Sequence, residues 1–254
     1  MGLCLPFSEI DIYLQGKAPE GCIVDTNFLI AASDKDHPLH EEAQFIEEKV
    51  EEYSIPLIVS VSARAEYIDY KRRVIVTEYL MGMLAPSSKW KISAAVRKVL
   101  SDQKSWIDGQ AKNGSDPYLS DSRIKDCKQI FLPKNHSGQI GWVKFCKEYL
   151  NGRLTKSWQE IVNTLKLNYM DMRAEDSKNF FRKNLQWEEM YRLSEESALS
   201  SQDAMILNML DASIFPFVIT MDFDLAYGVM LSTRDKVALV PDNLYRNRLR
   251  KLRF

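Results

Sequence analysis

The stretch GCIVDTNFLI, residues 21–30, decides how the chain is read. Cys22, Ile23 and Val24 form an apolar run without alternation, and it stops at Asp25. A continuous apolar run is the pattern of a strand covered on both faces, as in a parallel sheet. Three more runs have the same character: Pro56 to Val61 (PLIVSV), Phe215 to Thr220 (FPFVIT) and Val237 to Val240 (VALV). Helical patterns lie between and after them, over His40 to Glu52, Ala63 to Met83 and Asp203 to Leu210. Strands alternating with helices predict an α/β fold with a mostly parallel central sheet.

Between about residues 86 and 196 the rhythm changes to long helical patterns with no strand. Residues 155–197 read as one or two helices, with Trp158, Ile161, Leu165, Leu167 and Met172 spaced for a buried stripe. All five tryptophans lie in this part: Trp90, Trp106, Trp142, Trp158 and Trp187. Most of them read as the core of this region rather than as base-stacking residues. The stretch 86–196 has 20 basic and 14 acidic residues, net +6, which leaves −7 for the rest of a chain of net charge −1. The expectation is an α/β domain from 1–86 and 197–254, interrupted by a basic helical insert over 87–196. A second basic cluster closes the chain: Arg246, Arg248, Arg250, Lys251 and Arg253 in YRNRLRKLRF. It is read as a nucleic-acid contact.

With 254 residues, 45% of them hydrophobic and 27% charged, the chain has the composition of an ordinary globular protein. Cys4, Cys22, Cys127 and Cys146 show no C-x-x-C spacing, which argues against a zinc knuckle or a redox pair. The first residues, MGLCLPFSEIDIYLQ, lack the basic and long apolar regions of a signal peptide, and no apolar run is long enough to span a bilayer. The expected setting is cytoplasmic, with no membrane partner. His37 and His40 read as surface residues at an acidic helix start, and His136 as a polar loop residue.

The chemistry is expected at the strand ends. In open α/β sheets functional groups collect at the carboxyl ends of strands, near the switch in strand order. Asp25 ends the first run, and Asp222 follows the third, with Asp224 two residues on. Glu66 lies in the first turns of the helix after the second run, and Asp203 opens the helix before the third. Clustered carboxylates repel one another and resist ionisation. A divalent cation would reconcile them, and an all-oxygen set without Cys or His favours Mg²⁺ or Mn²⁺ over zinc.

These residues resemble those of the PIN-domain family of metal-dependent nucleases. The resemblance rests on Val24-Asp25-Thr26-Asn27-Phe28-Leu29-Ile30, Ser62-Ala63-Arg64-Ala65-Glu66-Tyr67, Ser201-Gln202-Asp203-Ala204-Met205-Ile206 and Ile219-Thr220-Met221-Asp222-Phe223-Asp224. It covers roughly residues 21–84 and 198–240. It implies a three-layer α/β/α fold and a metal-dependent endoribonuclease that hydrolyses RNA phosphodiester bonds with a carboxylate-bound Mg²⁺ or Mn²⁺ and an activated water. It carries over Asp25, Glu66, Asp203 and Asp222 as catalytic, metal-binding acids, Asp224 as a fifth ligand, and Asn27 and Thr220 as supporting residues. The 137 residues from Glu66 to Asp203 are far more than compact members have, and the resemblance leaves a toxin or a housekeeping role open.

Taken singly, each acid also has an ordinary reading. Asp25 and Asp203 suit helix N-termini, Asp203 as the partner of a Ser200 cap. Glu66 suits a solvated helix face, and Asp224 suits a cap. The rival function is a non-catalytic nucleic-acid-binding or scaffold protein that retained the fold. A phosphatase or phospho-acceptor using Asp25 is disfavoured. The dehalogenase type wants a second Asp where Asn27 stands, and Glu20 is not the acidic pair that a receiver needs. RNA is the expected partner, with DNA, an inhibitory protein and a homo-oligomer left open.

Overall fold

A computed structural model describes residues 2–88, 91–131, 141–170, 179–233 and 235–252. Trp90, His136, Met172 and Arg253 lie outside the described residues. The fold is α/β, a three-layer α/β/α arrangement around one six-stranded sheet in which every pairing is parallel. Its strands are β1 (Leu3–Pro6), β2 (Cys22–Val24), β3 (Leu57–Val59), β4 (Asn168–Tyr169), β5 (Phe217–Ile219) and β6 (Val237–Val240). Their spatial order is β1-β6-β5-β2-β3-β4. Every residue of β2, β3, β5 and β6 is buried, which is why these strands are apolar without alternation.

From β2 the chain moves outward through β3 to β4, then returns to β5 on the other side of β2 and continues to β6. The strand order therefore reverses between β2 and β5. In register, Val24 stands opposite Ile219, and the Asp25 amide extends the ladder by donating to the Ile219 carbonyl at 3.1 Å. That brings the residue after β2 level with Thr220, the residue after β5.

The helices are α1 (Ile10–Leu14), α2 (Thr26–Ser33), α3 (His40–Glu52), α4 (Val61–Gly82), α5 (Ala94–Lys112), α6 (Asp121–Ile130), α7 (Gly141–Tyr149), α8 (Arg153–Leu165), α9 (Trp187–Ser197), α10 (Ser201–Ala212), α11 (Phe223–Ser232) and α12 (Asp242–Leu244), with a π-helical turn at Tyr245–Leu249. In α3, Ala43, Ile46 and Val50 face inward, Glu41 and Glu42 sit in the first turn and Lys49 in the last, complementing the helix dipole. Phe45 is exposed instead. Among the described residues no helix is long and apolar enough to cross a membrane.

The chain divides into two compact units, 1–67 with 160–254, and 68–159. This corrects the expected boundaries at 86 and 197. The first boundary falls inside α4 and the second inside α8, where continuous helical periodicity gives no signal of a change of core. Residues 160–196 belong to the sheet unit. They supply β4, which pairs with β3, and Met170, Met190 and Leu193 pack in the same core as Ile23, Ile58, Leu207 and Val218. Two strands went unread in the sequence, β1 and β4. Both are sheet edges: β1 is half exposed, and β4 is two exposed residues that are strand only by their pairing.

The unit 68–159 is helical, around Val76, Leu80, Leu100, Ile124, Cys127 and Phe145. Trp142 stacks on Phe145 at 5.2 Å, and Arg123 covers the Trp106 ring at 4.0 Å. Trp158 is buried, so three of the tryptophans serve as core or its rim. Trp187 departs from that reading: it stands 60% exposed on α9. The division also sharpens the charge pattern. Residues 68–159 carry 17 basic and 8 acidic side chains, net +9, which leaves net −10 for the sheet unit.

Candidate functional site

Asp25 leaves β2 and caps α2. It is buried at 2% exposure, and one carboxylate oxygen accepts from the Thr26 amide at 2.6 Å. The other accepts from the Thr220 hydroxyl at 2.9 Å, across the β2–β5 gap. The Thr220 hydroxyl in turn accepts from the Asp222 amide at 2.9 Å, so one side chain fixes both turns. Asp222 caps α11, its Oδ1 accepting from the amides of Asp224 at 2.6 Å and Leu225 at 3.3 Å. Asn27 reaches its other oxygen at 3.4 Å.

Glu66, one turn into α4, is joined to the same point by Thr26, whose hydroxyl donates to Glu66 Oε2 at 2.7 Å. Asp203 sits in the first turn of α10. Ser200 caps that helix by accepting from the Asp203 amide at 3.1 Å and donates its own hydroxyl to the Asp203 carboxylate at 2.6 Å. Gly228 of α11 admits α10 closely, since a Cβ there would stand 2.9 Å from Leu199 and 3.0 Å from Leu207.

The electrostatics show that the acids share one place. Burial pushes the Asp25 carboxyl up to about 7; the hydrogen bonds from Thr220 and Thr26 oppose the rise, and the charges of Asp203 and Asp222 add to it. Asp203 is also raised, first by burial, against the Ser200 hydrogen bond, and then by the charges of Asp222, Glu66 and Asp224. Asp25, Glu66, Asp203 and Asp222 thus converge at the carboxyl edge of the sheet, beside the reversal in strand order. Asp224 is exposed and contributes its field rather than a cap, because Asp222 occupies the cap position. Of the ordinary readings, Asp25 does cap α2 and Asp203 is the partner of the Ser200 cap, whereas the cap of α11 falls to Asp222 and not to Asp224.

The donor set is oxygen alone, which suits a hard divalent ion. The cluster is not preformed for one. Among the described residues no group of three or more His, Cys, Asp or Glu side chains is placed to hold a metal ion. The hydrogen bonds give the reason. Glu66 turns to Thr26 and Asp203 to Ser200, each carboxylate settling on a nearby hydroxyl rather than on a shared centre.

The sequence reading assigned no part to Thr26, yet its amide and hydroxyl tie Asp25 to Glu66. Its only sequence signal is a hydroxyl residue directly after the strand-ending acid. Of the histidines, His40 is bound through its ring Nδ1 to the Ala31 carbonyl at 2.7 Å, and His37 accepts from the Leu39 amide at 3.1 Å. Both serve the loop before α3. No family model, curated protein or solved structure matches the chain.

Proposed function

We propose that the chain is a PIN-like, metal-dependent endoribonuclease acting in the cytoplasm. The observation that supports this reading is the convergence of Asp25, Glu66, Asp203 and Asp222, coupled by charge and linked through Thr26 and Thr220, at the switch point of a parallel sheet. Asp25 and Asp222 would anchor a Mg²⁺ or Mn²⁺ ion, and Glu66 and Asp203 would complete its oxygen shell or hold a second ion, with Asp224 at the margin. When bound, such an ion polarises a phosphoryl oxygen and lowers the pKa of a water. Thr220 and Thr26 orient Asp25 by its two oxygens, and Asn27 steadies Asp222. The net +9 of residues 68–159 supplies sequence-independent attraction for a phosphate backbone.

A second reading, a non-catalytic nucleic-acid-binding or scaffold protein, is favoured by one observation: among the described residues no three acids stand ready for an ion. A nuclease assay over a panel of RNAs with Mn²⁺ separates the two. The full chain should cut RNA, and the double variant Asp25→Asn/Asp222→Asn should lose at least a thousandfold in rate, on the order of 4 kcal/mol. A wild-type chain that cuts neither RNA nor DNA with any divalent ion leaves the binding reading in place.

A further inference from the structure

Beside the acids lies a second feature that the mechanism does not use. Phe223 follows Asp222 directly, and the Arg248 guanidinium lies over its ring, 4.0 Å from the centroid. Tyr227, one turn along α11, stacks on Phe223 with centroids 5.8 Å apart and planes 17° from parallel. Arg248 comes from the π-helical turn in the basic stretch, and that turn is anchored. Leu249 is buried in the core of the sheet unit, and Asp242 accepts from the Ser8 hydroxyl at 2.6 Å and the Ser8 amide at 3.1 Å. The turn follows β6 at its carboxyl end, the edge where the acids collect.

The arginines of this turn differ. Arg246 is paired with Asp242 at 3.3 Å. Among the described residues Arg248 has no salt bridge, and it stays exposed. A guanidinium seated over a ring still has its fork of N–H donors free for two phosphate oxygens, and it loses less freedom on binding than an unsupported side chain. A lone exposed cation needs no such support, since a flexible side chain would serve for solubility.

We propose that Arg248, held over Phe223, is a phosphate-binding residue for a polynucleotide, contacting the phosphate next to the one at the carboxylates. The inference rests on the nuclease reading of the acids, but its test does not. The acids draw one phosphate through a cation, and the next negative group along the same strand meets Arg248.

The test measures binding of a fluorescent 12-nucleotide single-stranded RNA to the full-length Asp25→Asn chain in EDTA, by anisotropy across a salt series. Arg248→Ala should raise Kd about five- to tenfold and flatten the log Kd against log salt slope by about 0.7, the value for one phosphate of a single strand left without its cation. Phe223→Leu should raise Kd while leaving the slope unchanged, because the charge stays and only its orientation is lost. Arg248→Lys should restore the slope but not the full affinity. Lys17→Ala, on the loop before β2, should bind as the parent does. Unchanged affinity and slope for Arg248→Ala overturn the proposal, as does the absence of any RNA binding. Displacement of the RNA by polyglutamate as readily as by unlabelled RNA overturns the phosphate contact. If the wild type cuts no nucleic acid but the Arg248 pattern holds, the nuclease reading falls and only the Arg248 phosphate contact stands.

Discussion

The sheet unit and the helical unit solve opposite problems. Residues 1–67 and 160–254 carry a net −10 and bring carboxylates together where water is scarce, at a cost in repulsion. Residues 68–159 carry a net +9, and several of their cations are spread over aromatic rings: Arg123 over Trp106, Arg153 over Tyr79 and Arg73 over Tyr118. A net charge of −1 for the whole chain conceals both fields. The lesson is that the sign of a chain is set unit by unit, one net negative and the other net positive.

The largest effect that can break this comparison comes from the cores. Phe145 of the helical unit and Phe28 of the sheet unit are both fully buried. Phe145→Ala should cost about 3–5 kcal/mol. If the units are cooperative on their own, hydrogen exchange will accelerate in residues 68–159 while β5 and β6 keep their protection. Phe28→Ala should give the mirror pattern. Uniform loosening in both variants would make the chain one cooperative body.

A smaller effect, of the opposite sign, is expected from the acid itself. The folded Asp25 carboxyl titrates near 7, against an ordinary 3.8, so the folded state holds its proton more tightly than the unfolded chain does. Its favourable contribution is complete below pH ~4 and is lost as pH rises through 7. Asp25→Asn keeps the neutral form at every pH. Without metal it should match the wild type at pH 4 and exceed it at pH 8 by about 2–4 kcal/mol. Thermal melts of the pair across this range check it. A variant less stable than the wild type at pH 8 would mean that the carboxylate is satisfied rather than strained.

How much of this could be read from the residues follows from burial. β2, β3, β5 and β6 are covered on both faces, so their composition announces them. β1 and β4 lie at edges, and β4 is a strand only because Met170 donates to Val59 and Ile58 and Val59 pair with Asn168 and Tyr169. The helical unit was legible as a change of charge, but its limits were not, because α4 and α8 run through the boundaries without a break. An amphipathic helix such as α9 shows that Met190 and Leu193 are buried, not which core they enter. The acids were legible because a carboxylate at the end of an apolar strand is costly. Ser200 was legible as a cap, and Thr26 was not, because a hydroxyl there looks like any helix start. The Phe223–Arg248 contact joins residues 25 apart and depends on how the last turn folds back, which no local pattern encodes.

The smallest effect sharpens the comparison on the basic side. Lys125, Lys128, Lys144 and Lys147 are exposed on α6 and α7. Replacing all four by Gln should weaken single-stranded RNA binding about tenfold and flatten its salt dependence by about 0.7 for each phosphate left without its cation. Neutralising Glu41 and Glu48 on α3 should leave binding no weaker. Equal weakening by both sets would show that the attraction is not localised in the helical unit.

The central claim is that Asp25, Glu66, Asp203 and Asp222 close on a divalent ion when one is present. Titration of the full chain with Mn²⁺, followed by the electron paramagnetic resonance of the free ion, tests it directly. The account predicts one or two saturable sites in the wild type that disappear in Asp25→Asn/Asp222→Asn while the fold is kept. A wild type and a double variant that take up Mn²⁺ to the same extent would contradict it.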